Sequence, residues 1–521
     1  MATPQQKLAS SLEELKQIQD KTGIVVRSDQ LSRTHRERLI QNGFLSEIMR
    51  GWYMATSPSE RPGDTTSWYA GYWDFVSRYL TDRFGDEWCL SPEASFLIHA
   101  GDWAVPMQLL VRAPRGSNKP VSLPHNTSIY DMRVDLPDAK DMQVENGVQL
   151  YTASEALLAA APSIFQQQPM NMRVVLASQR DGSALLAKLL EGGHSVIAGR
   201  LAGAFRNIGR HRIADDILKT MASAGYSVRE VDPFQSDFGF DLPKHELSPA
   251  AIRIRLMWHK LRKEVIDAFP QAPGLPNDAD AYLEGVDDAF VTDAYHSLSI
   301  EGYRVSPELI EHIRSGQWNP DSSFEDREQQ DALAARGYWQ AFQEVKKSVL
   351  SVLNHKNPGD VADNDHGSWY RALFGPSVTA GIIRSADLAG YRSDRVFIRN
   401  SRHTPLAPRA VPEAMTVFFE LLTEETNPAV RVVLGHFIFV YIHPYMDGNG
   451  RMGRFLMNLM LASGGYPWTV IPVESRSKYM AVLEEASVHE NIAPFTRFLG
   501  ELVEAGMEGA PLPPVPQAPM Q

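Results

Sequence analysis

The sequence predicts a multidomain, mainly α-helical protein whose N-terminal part combines a winged-helix outline with an α/β or α+β region. Three observations carry this expectation. With 521 residues, and roughly 100 to 200 residues per domain, the chain has room for three or four compact units. Over 276–508, apolar residues recur at helical spacing in one segment after another, and only 390–398 reads as extended. Before residue 235, short β-like runs alternate with helical ones.

Hydrophobic residues make up 43% of the chain and charged residues 22%, which excludes collagen-like, disordered and membrane-embedded classes. The formal charge of −12 argues against long-range attraction of the whole molecule to nucleic acid. Cys89 is the only cysteine, so no internal disulfide can form, and no Cys/His group has zinc-site spacing; a reducing, cytoplasmic setting is expected. The longest apolar run, 432–442, is too short to span a bilayer, and the N-terminus lacks a signal-peptide core.

Along residues 1–58 the pattern gives a helix over 11–21, a break at Gly23, a short helix entered near Ser28, and a third helix over 34–41. A turn at Asn42-Gly43 leads into two apolar stretches joined by Arg50-Gly51. Three short helices and a hairpin make the winged-helix outline, with Arg33, Arg36 and Arg38 on the third helix and Arg50 at the wing as candidate DNA contacts. Residues 59–235 carry helical patterns over 67–83, after Ser154 and over 184–190, and strand-like runs at 107–111 and 172–176. The GRLAGA run at 199–204 lacks dinucleotide-fingerprint spacing and predicts close helix packing.

A helical connector over 236–275 repeats Ile252, Leu256, Trp258, Leu261 and Val265 and ends in a proline-rich breaker. The C-terminal region, 276–508, predicts helices over 280–300, 307–314, 324–353, 412–423, 427–442, 451–462, 475–488 and 492–505, closed by a Pro-rich disordered tail over 509–521.

Chemistry concentrates in the run His443-Pro444-Tyr445-Met446-Asp447-Gly448-Asn449-Gly450-Arg451-Met452-Gly453-Arg454. Pro444 ends one helix, and Gly448 and Gly450 let the backbone turn its amides inward as an anion nest at the start of the next. Arg451 and Arg454, three apart, share a face of that helix's first turn, suited to gripping phosphates. Cations there oppose the helix dipole, a conflict that a bound polyanion relieves. Asp447 offers a hard oxygen for magnesium beside the nest, and His443 a proton acceptor for an attacking hydroxyl.

This run resembles the core motif HxFx[D/E]GNGRxxR of the Fic family, departing from it in Tyr445 where Phe is usual. The resemblance implies a helical bundle with a small β-hairpin flap that transfers AMP from ATP, with Mg2+, to a Ser, Thr or Tyr hydroxyl of a target protein. It implies His443 as base, Asp447 as metal ligand, Gly448, Asn449 and Gly450 as the anion hole, and Arg451 and Arg454 as the phosphate grip. Ser297, Glu301 and Gly302 match the family's inhibitory pattern [S/T]xxxE[G/N], which implies autoinhibition through a Glu301–Arg454 pair. The extended run with Val396, Phe397 and Ile398 looks like its target-binding flap.

The N-terminal half, through Ser91-Pro92-Glu93-Ala94 and His99-Ala100-Gly101, is similar to AbiEi-like abortive-infection regulators, which implies a DNA-binding winged helix at 1–58 and a regulatory domain over 59–235. The leading expectation is an autoinhibited protein adenylyltransferase joined to a regulatory half, with a target protein, DNA and a second copy of the chain as partners and no membrane. Two alternatives stand beside it. One is a transcriptional regulator or antitoxin that senses nucleotide; the other is a Fic enzyme that uses another nucleotide or removes AMP.

Overall fold

Two short apolar runs separated by the tight Arg50-Gly51 turn become the strands Leu45–Met49 and Trp52–Ala55, and Val25–Arg27 adds to the second of them, giving an antiparallel three-stranded sheet. Helices Pro4–Thr22 and Arg33–Gln41 cover it through Leu15 and Leu39, which pack with Leu31 of the intervening turn on Val26, Leu45 and Tyr53. In the computed structural model, which describes residues 3–58, 64–179, 181–234, 248–316 and 326–515, the short helix expected near Ser28 is absent. Ser28 instead donates its N–H to the Gly51 carbonyl at 2.9 Å, extending the sheet's bonding into a turn.

The Thr66–Phe84 helix follows, and its aromatic face builds the larger core around Trp68, Tyr72, Phe75, Tyr79 and Trp88. A four-stranded mixed sheet lies in that core, ordered Cys89–Leu90, Gln108–Ala113, Ser128–Arg133, Pro120–Ser122, with the central pair parallel. Strands Met142–Glu145 and Val148–Tyr151 form a hairpin across Asn146-Gly147, both at positive φ, as an Asn-Gly hairpin turn requires.

The strand expected over 172–176 is a helix, Pro169–Ala177, buried on nearly every side. An apolar run so enclosed carries no usable period, and Pro169 at the first helical position was the local signal. The small residues of GRLAGA pack against an extended segment rather than a helix: a Cβ on Gly199 would lie 1.9 Å from the Arg229 carbonyl oxygen and one on Gly203 2.3 Å from that of Val231.

The chain divides into two compact units, Met1–Pro249 with Phe397–Thr404, and Ala250–Val396 with Pro405–Gln521. The excursion is tied into the first unit: Asn400 Oδ1 accepts from Thr65 N at 3.1 Å, Arg399 pairs with Asp64, and Val105 N donates to the Arg402 carbonyl. Among the described residues no helix is long and apolar enough to cross a membrane.

The second unit has no strand among its described residues. Its helices include Pro249–Ala268, Ala279–Ile300, Asp326–Leu353, Val411–Glu424, Pro428–Ile442, Asn449–Gly464 and Arg476–His489. A further helix, Pro358–Thr379, was not legible in the pattern, because its first half is polar and Pro376 interrupts its second; Asn357, which caps it through Gly359 N and Asp360 N, and Pro358 behind it were the signals. The β-hairpin expected at 390–398 does not form; those residues are turns and coil. The final residues of the proline-rich tail lie outside the described part.

Gly337 brings the Asp326–Leu353 helix against Pro358–Thr379, where a Cβ would lie 1.9 Å from the Leu373 carbonyl oxygen. Helix propensity alone favours Ala over Gly by about 1 kcal/mol, whereas overpacking costs about 1–3 kcal/mol. Gly337→Ala is therefore expected to lower the chemical-denaturation midpoint of the full chain, and an unchanged or raised midpoint contradicts the close approach.

Candidate functional site

The site is built around a sharp connection between two buried helices. Pro428–Ile442 ends at His443, which adopts a left-handed conformation (φ 54°, ψ 62°) and donates its N–H to the Phe439 carbonyl at 3.0 Å. Gly448, also left-handed at φ 80°, opens the Asn449–Gly464 helix; a Cβ there would strike the Phe374 ring at 2.8 Å. The Asn449 side chain braces the loop between them, accepting from Tyr445 N at 2.9 Å and donating to Tyr445 O at 2.8 Å. Its side-chain amide is thereby committed to the loop.

Arg392, buried at 4% exposure, ties the same loop from outside by donating Nε to the His443 carbonyl at 2.7 Å and its backbone N–H to that of Pro444 at 2.9 Å. Burial pushes its pKa down to about 10. The Tyr445 ring stacks on Tyr370 with centroids 3.8 Å apart, so the aromatic anchor survives the exchange of Phe for Tyr, and burial first, then Tyr391 and Tyr370, raise its phenol pKa.

Within this frame His443 Nδ1 lies 3.2 Å from the Val440 carbonyl oxygen. A carbonyl can only accept, so Nδ1 carries the proton in the neutral ring and Nε2 the lone pair. Asp447 is 68% exposed at the loop's outer edge, where its carboxylate accepts from Gly448 N at 2.6 Å and meets Arg451 Nη2 at 3.4 Å. The Arg451 guanidinium lies over both the Tyr303 and Phe374 rings, at 5.1 and 5.0 Å from their centroids.

Arg454 is held from 157 residues away, donating Nε to Ser297 Oγ at 2.8 Å, Nη2 to Ser297 O at 3.0 Å and Nη2 to Glu301 Oε1 at 2.7 Å. Burial works against its charge, but the Glu301 carboxylate overrides burial and the net shift is upward. Burial likewise acts to raise the Glu301 pKa, and Arg454 with Arg451 hold it below the ordinary carboxylate value. A Cβ on Gly450 would lie 2.2 Å from Glu301 Oε1, so the carboxylate rests directly on this glycine.

Asp293 and Ser297 are spaced four apart on one face of the Ala279–Ile300 helix, and Glu301, four further on, is its C-cap residue. Asp293 accepts from the Tyr338 hydroxyl at 2.7 Å. The end of that helix is closed by Gly302 at φ 94° and a Tyr303 N–H bond to Leu298 O at 3.1 Å. It is also tied from the side: Arg476 Nε donates to the Ile300 carbonyl at 2.7 Å, and Val473 N to His296 Nδ1 at 3.1 Å.

Every core-motif residue singled out in the sequence therefore lies in one place, together with Ser297, Glu301 and Gly302. Sequence reasoning did not find Arg392, Phe374, Tyr303, Asp293 or Tyr338 as parts of the site; only Tyr303, directly after Gly302, carried a positional hint. Val396, Phe397 and Ile398 are part-buried coil rather than a strand.

The arginines considered for DNA are largely occupied by local structure. Arg33 is 83% exposed but bound to Glu37 at 2.7 Å. Arg36 donates to Ser28 O, and Arg38 to Lys7 O and Ser11 Oγ. Arg50 is exposed at the strand turn.

Residues 369–461 match the Fic/DOC family. The segment contains Tyr370, Phe374, Arg392 and the whole loop from His443 to Arg454. "Protein adenylyltransferase fic-1" of Caenorhabditis briggsae is 30% identical to this chain over 221 residues, covering 41% of this chain and 40% of the relative. "Protein adenylyltransferase Fic" of Nematostella vectensis is 30% identical over 224 residues, covering 42% and 48%. The matched part thus spans less than half the length of these curated relatives. A solved fragment of Fic-1 from C. elegans is similar over 66% of this chain and 97% of its own, at 20% identity and a TM-score of 0.35. Ser297, Glu301 and Arg476 lie outside the Fic segment.

Burial raises the pKa of Asp293 to about 6, against the opposing pull of the Tyr338 hydrogen bond and the Arg454 charge. An unfolded Asp titrates near about 4, so between about 4 and 6 the folded chain binds the extra proton and loses stability as pH rises. Asp293→Asn removes this loss. Its melting temperature relative to the unaltered chain is expected to climb across that window and to stay level above it; a constant difference from pH 4 to 8 contradicts the assignment.

Proposed function

We propose that the C-terminal unit is a protein adenylyltransferase, transferring AMP from ATP to a side-chain hydroxyl of a target protein, and that Glu301 restrains it. The observation that carries the reading is the short stretch of chain that unites a histidine whose Nε2 carries the lone pair, an exposed carboxylate and two buried arginines around Gly450. The likeness to relatives named protein adenylyltransferase supports it.

In this reading the target hydroxyl oxygen attacks the α-phosphorus, the bond from that phosphorus to the pyrophosphate oxygen breaks, and the hydroxyl proton passes to His443 Nε2. The loop amides from Gly448 to Gly450 and the guanidinium of Arg451 hold the phosphates. Among the described residues no three His, Cys, Asp or Glu side chains gather as a protein-only metal site. A lone exposed Asp447 suits a magnesium ion held mostly by phosphates and water. When bound, such an ion neutralises phosphate charge; Asp447 is the residue that would hold it.

In this reading Glu301, resting on Gly450 and paired with Arg454, excludes the terminal phosphate of ATP; its bond to Arg454 and its closeness to Gly450 support this. His443→Ala is expected to retain ATP binding while losing about 10²- to 10⁴-fold in transfer of label from α-labelled ATP. Equal labelling by the two proteins is incompatible with the reading. Glu301→Gly is expected to raise labelling of the protein itself.

Arg476, through its bond to the Ile300 carbonyl, keeps the last helical turn and hence Glu301 in place. Arg476→Gln should therefore raise labelling several-fold when Glu301 is present and change nothing in the Glu301→Gly background. A loss of labelling in that background would instead make Arg476 a substrate contact.

A further inference from the structure

The first unit contains a cavity whose positive charge has no carboxylate partner among the described residues. The Ser195–Asn207 helix bears Gly199 and Gly203 one turn apart, and the extended segment over 228–232 lies directly on them, with Val231 N donating to Gly199 O at 3.1 Å. Arg200, between the two glycines, therefore borders a partly open cavity of about 640 Å³ whose walls include Pro162, Gln166, Val196, Val231 and Phe234. Val196 is 81% exposed and Val231 51%, so the mouth presents aliphatic surface to water.

The Arg200 guanidinium lies over the Phe165 ring at 5.7 Å, and its Nε is shielded from solvent without a hydrogen bond among the described residues. Burial depresses its pKa, and no described carboxylate opposes the effect. The neighbouring acids have other partners: Glu230 and Asp215 bind Arg206 at 2.6 and 2.9 Å, while Asp232, which lines the cavity, accepts from Asn207 Nδ2 and Phe234 N at 2.9 Å each. Arg229, at the rim of the same cavity, brings a second positive charge. A partly desolvated cation without an anion is costly, and an apolar cavity with a few convergent polar groups is the ordinary form of a small-molecule site.

We propose that this cavity binds a small organic carboxylate, its charge seated on Arg200 and its apolar body against Val196, Val231 and Phe234. A planar single-charge carboxylate matches one guanidinium edge. Besides Arg200, the cavity offers Arg229, the Gln166 amide and the hydroxyls of Ser195 and Ser227, while the Asp232 carboxylate in its wall opposes a phosphate dianion more strongly than a single negative charge. The site is independent of AMP transfer.

The test is a titration of the full chain with 4-phenylbutyrate, followed by ligand-observed NMR and calorimetry, with 4-phenylbutyramide and orthophosphate as the other arms. Saturable binding of the carboxylate is expected, with no binding of the amide or of orthophosphate, and at least a tenfold weaker affinity in both Arg200→Gln and Val196→Asp. Val196 is so exposed that its substitution keeps the test alive should Arg200→Gln fail to fold. The proposal is overturned if 4-phenylbutyrate does not saturate, if the amide binds equally well, if orthophosphate binds and loses its binding in Arg200→Gln, or if the folded variants bind the carboxylate as the unaltered chain does.

Discussion

The burial of one guanidinium, that of Arg454, sets the arrangement of the candidate site. A cation at 3% exposure near the start of a helix faces both a desolvation cost and the positive end of the helix dipole. Ser297 and Glu301 answer both costs, and they come from a helix 153–157 residues earlier in the chain. The Ala279–Ile300 helix must therefore sit with its Asp293–Ser297–Glu301 face towards Arg454. The remaining contacts follow from that placement: Tyr338 to Asp293, Tyr303 against Arg451, and Arg476 on the open carbonyl of Ile300.

The loop beside Arg454 is held differently. His443 and Gly448 both sit in left-handed backbone, and the turn between them is fixed by Asn449 within the loop and by Arg392 from outside it. Rigidity here comes from buried polar bonds to main-chain carbonyls rather than from side-chain packing alone. The aromatic stack of Tyr445 on Tyr370 closes the loop's inner side.

Local chemistry was the part of this protein most legible in its sequence. The residues from His443 to Arg454 are contiguous, so their grouping needed no knowledge of the fold, and the Ser297-Glu301-Gly302 pattern carried its own spacing. Long helices bounded by clear stop signals, such as Ala279–Ile300 before Gly302 and Pro428–Ile442 before Pro444, were also readable. Failures arose where tertiary context decided. The Pro169–Ala177 run is buried all round and offered no period, and Pro358–Thr379 has a polar first half and an interior proline that hide its pattern. Arg392 could not be found because its partners are main-chain oxygens, that of His443 lying 51 residues away, which leave no mark on side-chain spacing.

The membership of Phe397–Thr404 in the first unit has a consequence for how the chain can be divided. The polypeptide passes between the two units three times, at 249/250, 396/397 and 404/405. Two of these passages fall inside the segment that matches the Fic/DOC family. A polypeptide cut at residue 250 would keep Arg399, Asn400 and Arg402 but lose Asp64, Thr65 and Val105, the groups they bond. Neither unit is a continuous stretch of sequence, so limited proteolysis between 396 and 405 would sever both at once, and shuffling this half onto another N-terminus would require a graft for eight residues as well as a junction.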